Sequence, residues 1–199
     1  MRNRVSSELA TGYSIAGTVI DVAPDVTQFR RGDRVACCGA GYANHAAVNW
    51  VPQNLSVKLP DAVSFEEACF GTLGAIALHG VRRASISLGD RVLLLGLGLI
   101  GQITVQLLKA AGADVIGADV RADRVERARR FGVYAFSLAD ANLENEVLAR
   151  TNGAGADAVI VTAAAADPAL LNTCFDACRK KGRVVLVGDV PIRIQRDKI

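Results

Sequence analysis

Arg91-Val92-Leu93-Leu94-Leu95-Gly96-Leu97-Gly98-Leu99-Ile100-Gly101 is the stretch that decides the fold. Arg91 to Leu95 is a short apolar run and reads as a buried strand. Gly96 to Gly101 is G-x-G-x-x-G, and a helical pattern runs from Ile100 to Ala111. Glycine-rich turns are common in this chain, so the motif alone says little. Its context, directly after a strand and opening a helix, says much more. The first glycine permits a tight turn, the second lets backbone approach a pyrophosphate, and the third lets helix and strand pack closely. The helix start then offers unpaired N–H groups and the positive end of a dipole to the phosphates. Asp119 closes the next strand, 23 residues after Gly96. A ribose-binding acid is expected about 20 residues on. The pattern therefore predicts a dinucleotide site built from Gly96, Gly98, Leu99, Ile100, Gly101 and Asp119. The alternative is a glycine-rich turn without ligand, which leaves the acid and the strand order to coincidence.

Working outward, the same alternation continues. Strands are expected at Arg91–Leu95, Asp114–Ala118, Val133–Phe136, Asp157–Val161 and Arg183–Val187. Helices are expected at Ile100–Ala111, Ala122–Arg130, Asn142–Arg150 and Pro168–Lys180. Fully apolar strands alternating with helices predict a parallel sheet covered on both faces. Before residue 85 the chain changes character. Ser14–Ala23 reads as a strand, with Gly17 marking a bulge or a close neighbour. Arg34–Cys38 is apolar, Ala43–Asn49 reads as a further strand, and Val57 to Pro60 follows. Ser64-Phe65-Glu66-Glu67 is a capping box, which opens a helical stretch running to about Ala84. The fold class is α/β, a doubly wound parallel sheet preceded by a β-rich part. The divisions are 1–63, 64–85 for linking helices, and 86–199 for the dinucleotide-binding domain.

Asp119 also bears on which dinucleotide is bound. A carboxylate there repels a 2′-phosphate and favours NAD over NADP. Arg121 and Arg124 oppose that reading, because a nearby arginine can accept the phosphate. Arg124 stands either beside the ribose or against a carboxylate of its own helix. Thr162, Val187 and Gly188 end two later strands, at the sheet edge where a crevice receives the nicotinamide half. Asp189 follows that edge and either meets the nicotinamide or caps a turn.

Composition narrows the remaining classes. The net charge is +3, from 23 basic and 20 acidic residues, so no strong field favours an acidic partner. The densest basic run, Arg121 to Arg130, has Asp123 and Glu126 inside it, and aromatics are only 5%. That reads as a solvated helix face and argues against nucleic-acid binding. No apolar run approaches the length of a membrane span, about 20 residues. The start, Met1-Arg2-Asn3-Arg4, leads into polar residues and Glu8 rather than an apolar signal core. Five cysteines at irregular positions are not a disulfide framework, and a reducing cytoplasm is the expected compartment. Cys174 and Cys178 share a helix face in this reading and are taken as small buried hydrophobes.

Four blocks in order carry a resemblance: Gly12-Tyr13-Ser14-Ile15-Ala16-Gly17-Thr18-Val19, Gly32-Asp33-Arg34-Val35, Pro60 to Ala68, and the glycine motif. Together they resemble the medium-chain dehydrogenase/reductase superfamily, the alcohol-dehydrogenase-like enzymes. The resemblance spans Gly12 to Gly188. It implies a partial GroES-like β domain before the Rossmann domain, and an NAD(P)-dependent oxidoreductase moving hydride between nicotinamide and an alcohol, ketone or sugar-like substrate. Two segments, Gly39 to His45 and Thr72 to Gly80, resemble the dehydrogenase halves of two-part enzymes. A second oxidoreductase domain or a homo-oligomer is therefore the expected partner.

The departures from that family are as informative. Where zinc enzymes have Gly-His-Glu, this chain has Tyr13 and Ser14 after Gly12, and a zinc-binding cysteine aligns with Thr72. The four-cysteine zinc loop is absent after Val35. Zinc takes three or four ligands of Cys, His or carboxylate type, so no metal is expected. Tyr13 and Thr72 then become the candidates for polarising the substrate oxygen. The bland alternatives are a core or rim tyrosine and a helix-start hydroxyl. Tyr42, His45 and His79 are weaker candidates, with His79 read as packing. Family members also have strands before the position of Gly12 and a further Rossmann strand after that of Gly188. The resemblance thus predicts a chain truncated at both ends, with little or no turnover of its own and an unpaired edge at Arg183–Val187. The alternative function is a non-catalytic dinucleotide-binding module or a truncated relic.

Overall fold

The computed structural model describes residues 11–165 and 167–196. The chain divides into two compact units, Met1–Ala75 and Ile76–Ile199.

The first unit holds three antiparallel strands in the order β1 (Ser14–Thr18), β2 (Arg34–Cys38), β3 (Ser56–Lys58). Alternation along β2 turns Val35 and Cys37 inward, where they are buried with Ala43 against Ile15, Val19, Phe29 and Val51. Asp33 ties the unit together. Its carboxylate accepts from the Arg30 amide at 2.9 Å and meets Lys58 Nζ at 2.8 Å. The capping box forms as expected. The Ser64 hydroxyl accepts from the Glu67 amide at 3.1 Å, and the Glu67 carboxylate accepts from the Ser64 amide at 2.9 Å, opening α1 (Phe65–Ala68). Helix α2 (Gly71–Ala84) follows, and the division between units falls inside it.

Three expectations in this unit need correction. β1 stops at Thr18 rather than Ala23: the Val19 amide still donates to the Asp33 carbonyl, but the Asp33 amide turns to the Arg30 carbonyl and the Gly32 amide takes the Val19 carbonyl, closing the turn. Gly17 marks neither a bulge nor a close neighbour: β1 and β2 pair in unbroken register, and the space over Gly17 is open. Ala43–Asn49 is a loop, not a strand. The Asn49 carboxamide accepts from the Asn44 amide and donates to the Ala46 carbonyl, so side-chain bonds take the place of a ladder.

The second unit is a five-stranded parallel sheet in the order β6-β5-β4-β7-β8. Its strands are β4 (Arg91–Leu95), β5 (Asp114–Asp119), β6 (Tyr134–Ser137), β7 (Ala156–Val161) and β8 (Cys178–Leu186). The intervening helices are α3 (Leu99–Ala110), α4 (Ala122–Arg129), α5 (Leu143–Arg150) and α6 (Ala169–Ala177). Side chains of β4 alternate between two cores. Val92 and Leu94 pack with Val105, Leu108 and Val125, while Leu93 and Leu95 pack with Val147, Val159 and Cys174. That is why β4 reads as continuously apolar: both of its faces are covered. Burial pushes the Cys174 thiol up to about 12, as expected of a small core hydrophobe. From β4 the chain winds outward through β5 and β6, then returns to β7 on the other side of β4. The winding reverses between β4 and β7, and ligands of such sheets bind outside the carboxyl ends of the strands at that point.

The last helix and strand depart from expectation. α6 ends at Ala177 instead of Lys180, and β8 starts at Cys178 instead of Arg183. Cys178 pairs with Ala156 and Arg183 with Ala158, so residues 179–182 bulge out of the ladder, with Lys181 at φ 62°. Cys178 therefore lies on a strand and does not share a helix face with Cys174. His79 is exposed on α2 and does not pack.

Asp157 anchors the lower edge of this sheet. It accepts from the Arg91 amide at 2.8 Å and from Arg179 Nε at 2.6 Å. Burial works to raise its pKa, but the Arg91 amide and the Arg179 guanidinium outweigh it and hold the carboxyl below its ordinary value. A depressed folded-state pKa stabilises above the ordinary carboxylate value, and that contribution is lost as pH falls through the folded value. Asp157→Asn should therefore cost about 1–2 kcal/mol at pH 7 by urea unfolding. The deficit should shrink below about pH 3.9. A penalty of equal size at every pH would contradict this role.

Candidate dinucleotide-binding site

At the end of β4 the chain turns through Gly96, whose φ of +97° is the left-handed region that favours glycine. A Cβ there would sit 2.5 Å from the Ala163 nitrogen, so the end of β7 also excludes any side chain. The Gly96 amide donates to the Ala118 carbonyl, and the Thr162 hydroxyl donates to the Gly96 carbonyl at 2.5 Å. Gly101 packs the first turn of α3 against this strand end. A Cβ on it would meet the Gly96 carbonyl oxygen at 2.1 Å. Gly98 is the N-cap of α3 and brings no side-chain cap, so the helix start at Leu99, Ile100 and Gly101 is left for another partner. Its N–H groups and dipole favour an anion. Leu97, between the glycines, is fully buried.

Asp119 lies at the end of β5 and is 4% exposed. Its Oδ2 accepts from the Leu97 amide at 2.7 Å and from Arg124 Nη1 at 3.4 Å, and its Oδ1 accepts from the Arg121 amide at 2.9 Å. A carboxylate has about four lone-pair sites. Internal donors already occupy most of that capacity. The carboxylate is first a clamp on the glycine turn. The two arginines separate clearly. The Arg121 guanidinium is held by both oxygens of Asp123, at 2.9 and 3.0 Å, which raises its pKa. Arg124 pairs with Asp119, off its own helix, and its guanidinium is the nearest group to the open side of Gly98.

Gly96, Gly98, Leu99, Ile100, Gly101, Asp119, Arg124 and Thr162 are thus brought together around the ends of β4, β5 and β7. Val187 and Gly188 follow β8, and both amides donate to the Val161 carbonyl at 2.9 Å, beside Thr162. Asp189 is exposed, and its carbonyl accepts from the Ala165 amide. Tyr13 and Thr72 belong to the first unit. Tyr13 is 42% exposed, with its carbonyl accepting from the Gly39 amide, and Thr72 is half-buried on α2. Ser14 donates its hydroxyl to the Cys69 carbonyl at 2.6 Å. Tyr42 and Trp50 form a tilted pair, and the exposed His45 ring lies over Gly12. Among the described residues, no group of three or more His, Cys, Asp or Glu side chains could hold a metal ion. No helix among them is long and apolar enough to cross a membrane.

Sequence reasoning missed Gln102, which is buried on α3 and donates to the carbonyls of Leu97 and Arg124. The signal available was a lone amide at a position sharing the buried helix face with Val105, three residues on.

The sheet order, the glycine turn and the acid after β5 define a Rossmann-type nucleotide-binding domain. A zinc-binding dehydrogenase family profile matches residues 100–196. D-guloside 3-dehydrogenase of Escherichia coli K12 is 36% identical over 159 residues, covering 78% of this chain and 45% of that protein. An alcohol dehydrogenase superfamily protein of Novosphingobium aromaticivorans superposes with a TM-score of 0.75 at 30% identity, covering 88% of this chain and 54% of the other. A quinone oxidoreductase of Pseudomonas syringae superposes with a TM-score of 0.80 at 26% identity, covering 96% and 60%. The chain belongs to the medium-chain dehydrogenase/reductase superfamily. It spans about half the length of the relatives it matches.

The two glycines at the turn should respond differently to a methyl group. Gly101→Ala meets backbone and should cost about 1–3 kcal/mol by chemical unfolding. Gly98→Ala finds no atom closer than 3.9 Å and should cost less than about 1 kcal/mol. Equal losses at both positions would contradict the packing described.

Proposed function

We propose that this chain binds a nicotinamide dinucleotide as part of an NAD(P)-dependent oxidoreductase acting on an alcohol, ketone or sugar-like substrate. The observation that carries the reading is the uncapped start of α3, delivered by a glycine turn to the carboxyl ends of β4 and β7, with Asp119 beside it. The turn and helix start would hold the pyrophosphate. Asp119 would take one hydroxyl of the adenosine ribose. Thr162, Val187 and Gly188 would line the nicotinamide half. The cofactor, when bound, supplies or accepts the hydride. The sugar-like class is supported by the likeness to D-guloside 3-dehydrogenase.

NAD is the proposed dinucleotide, because the anchored Asp119 charge opposes a 2′-phosphate. Zinc is not proposed. Tyr13, Ser14 and Thr72 offer hydroxyls only, and the Ser14 hydroxyl is already spent on Cys69. This donor set does not fit zinc. Tyr13 and Thr72 are the proposed groups for polarising the substrate oxygen. The cytoplasm is the proposed compartment, and a second copy or a second oxidoreductase domain the proposed partner; neither nucleic acid nor membrane is proposed. A second reading, a dinucleotide-binding module without catalysis, is supported by the lack of any described acid–base pair among Tyr13, Ser14 and Thr72. Hydride transfer to a panel of alcohols, ketones and glycosides separates the two readings.

Dissociation constants for NADH and NADPH, from nicotinamide fluorescence at one ionic strength, test the cofactor assignment. NADH should bind about tenfold tighter, a difference of about 1.4 kcal/mol, and Asp119→Ala should narrow the gap. Tighter NADPH binding that is indifferent to Asp119→Ala would sink the assignment. Metal analysis of protein purified without a metal-binding tag should find no stoichiometric zinc. About one zinc per chain that survives mild chelation would overturn the zinc-independent reading.

A further inference from the structure

The orientation of the buried Gln102 amide is fixed by chemistry. Its side chain faces two backbone carbonyls, Leu97 at 2.9 Å and Arg124 at 3.0 Å, and only an NH₂ can donate to both. The cost is visible at the other end, where the buried Oε1 has no hydrogen-bond partner among the described residues. A buried amide that leaves its acceptor stranded is unfavourable on its own account, by about 1–3 kcal/mol in general.

The two carbonyls it spans are not equivalent. Leu97 lies inside the glycine turn, and its amide donates to Asp119. Arg124 lies on α4, and its guanidinium pairs with that same Asp119 oxygen. The four residues therefore close a ring: Gln102 to Leu97, Leu97 to Asp119, Asp119 to Arg124, and Arg124 back to Gln102. Three of these links hold backbone, and one of them fixes the backbone from which the Arg124 side chain springs. The Arg124 side chain is 40% exposed, so part of it remains open to solvent.

We propose that Gln102 is a positioning residue that sets the choice between the two dinucleotides. By pinning Arg124 at its carbonyl, it keeps the guanidinium on Asp119 and away from the place a 2′-phosphate would take. The proposal rests on the dinucleotide reading above. It adds that selectivity resides in the ring and not in Asp119 alone. Gln102 touches no reacting atom and acts only through Arg124.

Gln102→Met keeps the volume and removes the donor. NADH and NADPH dissociation constants should be measured for the parent, Gln102→Met, Arg124→Gln and the double variant. In Gln102→Met the NADH preference should fall about threefold or more, the scale of one loosened charge-assisted contact. In the Arg124→Gln background the same change should leave the ratio unmoved, since the group it positions is gone. Hydrogen exchange should also quicken at the Leu97 amide in Gln102→Met, while the core Val159 amide stays protected. Weakening of both dinucleotides by one factor marks a purely structural role and overturns the proposal. So does an unchanged ratio, or a ratio shift that persists in the Arg124→Gln background. Failure of the parent to bind either dinucleotide overturns the functional reading and this proposal with it; a parent that binds with an immovable ratio overturns the proposal alone.

Discussion

The hydrogen bond from the Leu97 amide to the Asp119 carboxylate, 2.7 Å long and buried, is the constraint on which the second unit's architecture converges. It joins the turn after β4 to the end of β5. With the turn so fixed, Gly101 can bring α3 within contact of the Gly96 carbonyl. The Thr162 hydroxyl secures that carbonyl from β7. Three neighbouring strand ends are thereby locked at the one place where the winding of the sheet reverses. The helix start that results is aimed by backbone contacts, which hold their geometry better than a loop held only by side chains.

The carboxylate that makes this clamp is almost fully buried. Asp119 is buried but not isolated: amides of Leu97 and Arg121 and the Arg124 guanidinium surround it. Such donors offset the cost of burying a polar group. The remaining acceptor capacity then faces a preorganised site. Preorganisation reduces the ordering cost that ligand binding would otherwise incur.

Most of the second unit was legible because its physics is local. β4 is apolar at every position after Arg91 since two cores, not one, cover it, and the turn from Gly96 to Gly101 packs on itself as well as on the end of β7. The Ser64–Glu67 capping box was equally readable, being a reciprocal pair within one turn. What escaped were features decided by distant or competing bonds. Ala43–Asn49 has the composition of a strand, yet Asn49 folds it into a loop through its own carboxamide. Arg179 and Lys180 continue a helical pattern, but Asp157 captures Arg179 and the chain enters the sheet early. The motif marked Asp119 as a candidate ribose acceptor and concealed its structural duty, because Leu97 is an arbitrary residue in the glycine pattern. Gln102 left only the faint signal of an amide on a buried helix face, and its partners are backbone carbonyls, which carry no sequence signature. Tyr13 and Thr72 were reached through resemblance rather than spacing, and their roles remain a proposal about chemistry.

The central claim is that the turn clamped by Asp119 presents the start of α3 to a dinucleotide. Amide chemical shifts followed during titration with ADP-ribose, which carries the pyrophosphate and both riboses without the nicotinamide ring, test it most directly. The account predicts saturable shifts concentrated at Gly98, Leu99, Ile100 and Gly101, with smaller ones at Arg121 and Arg124. Saturable shifts confined to other parts of the chain, with the glycine turn silent, would contradict it.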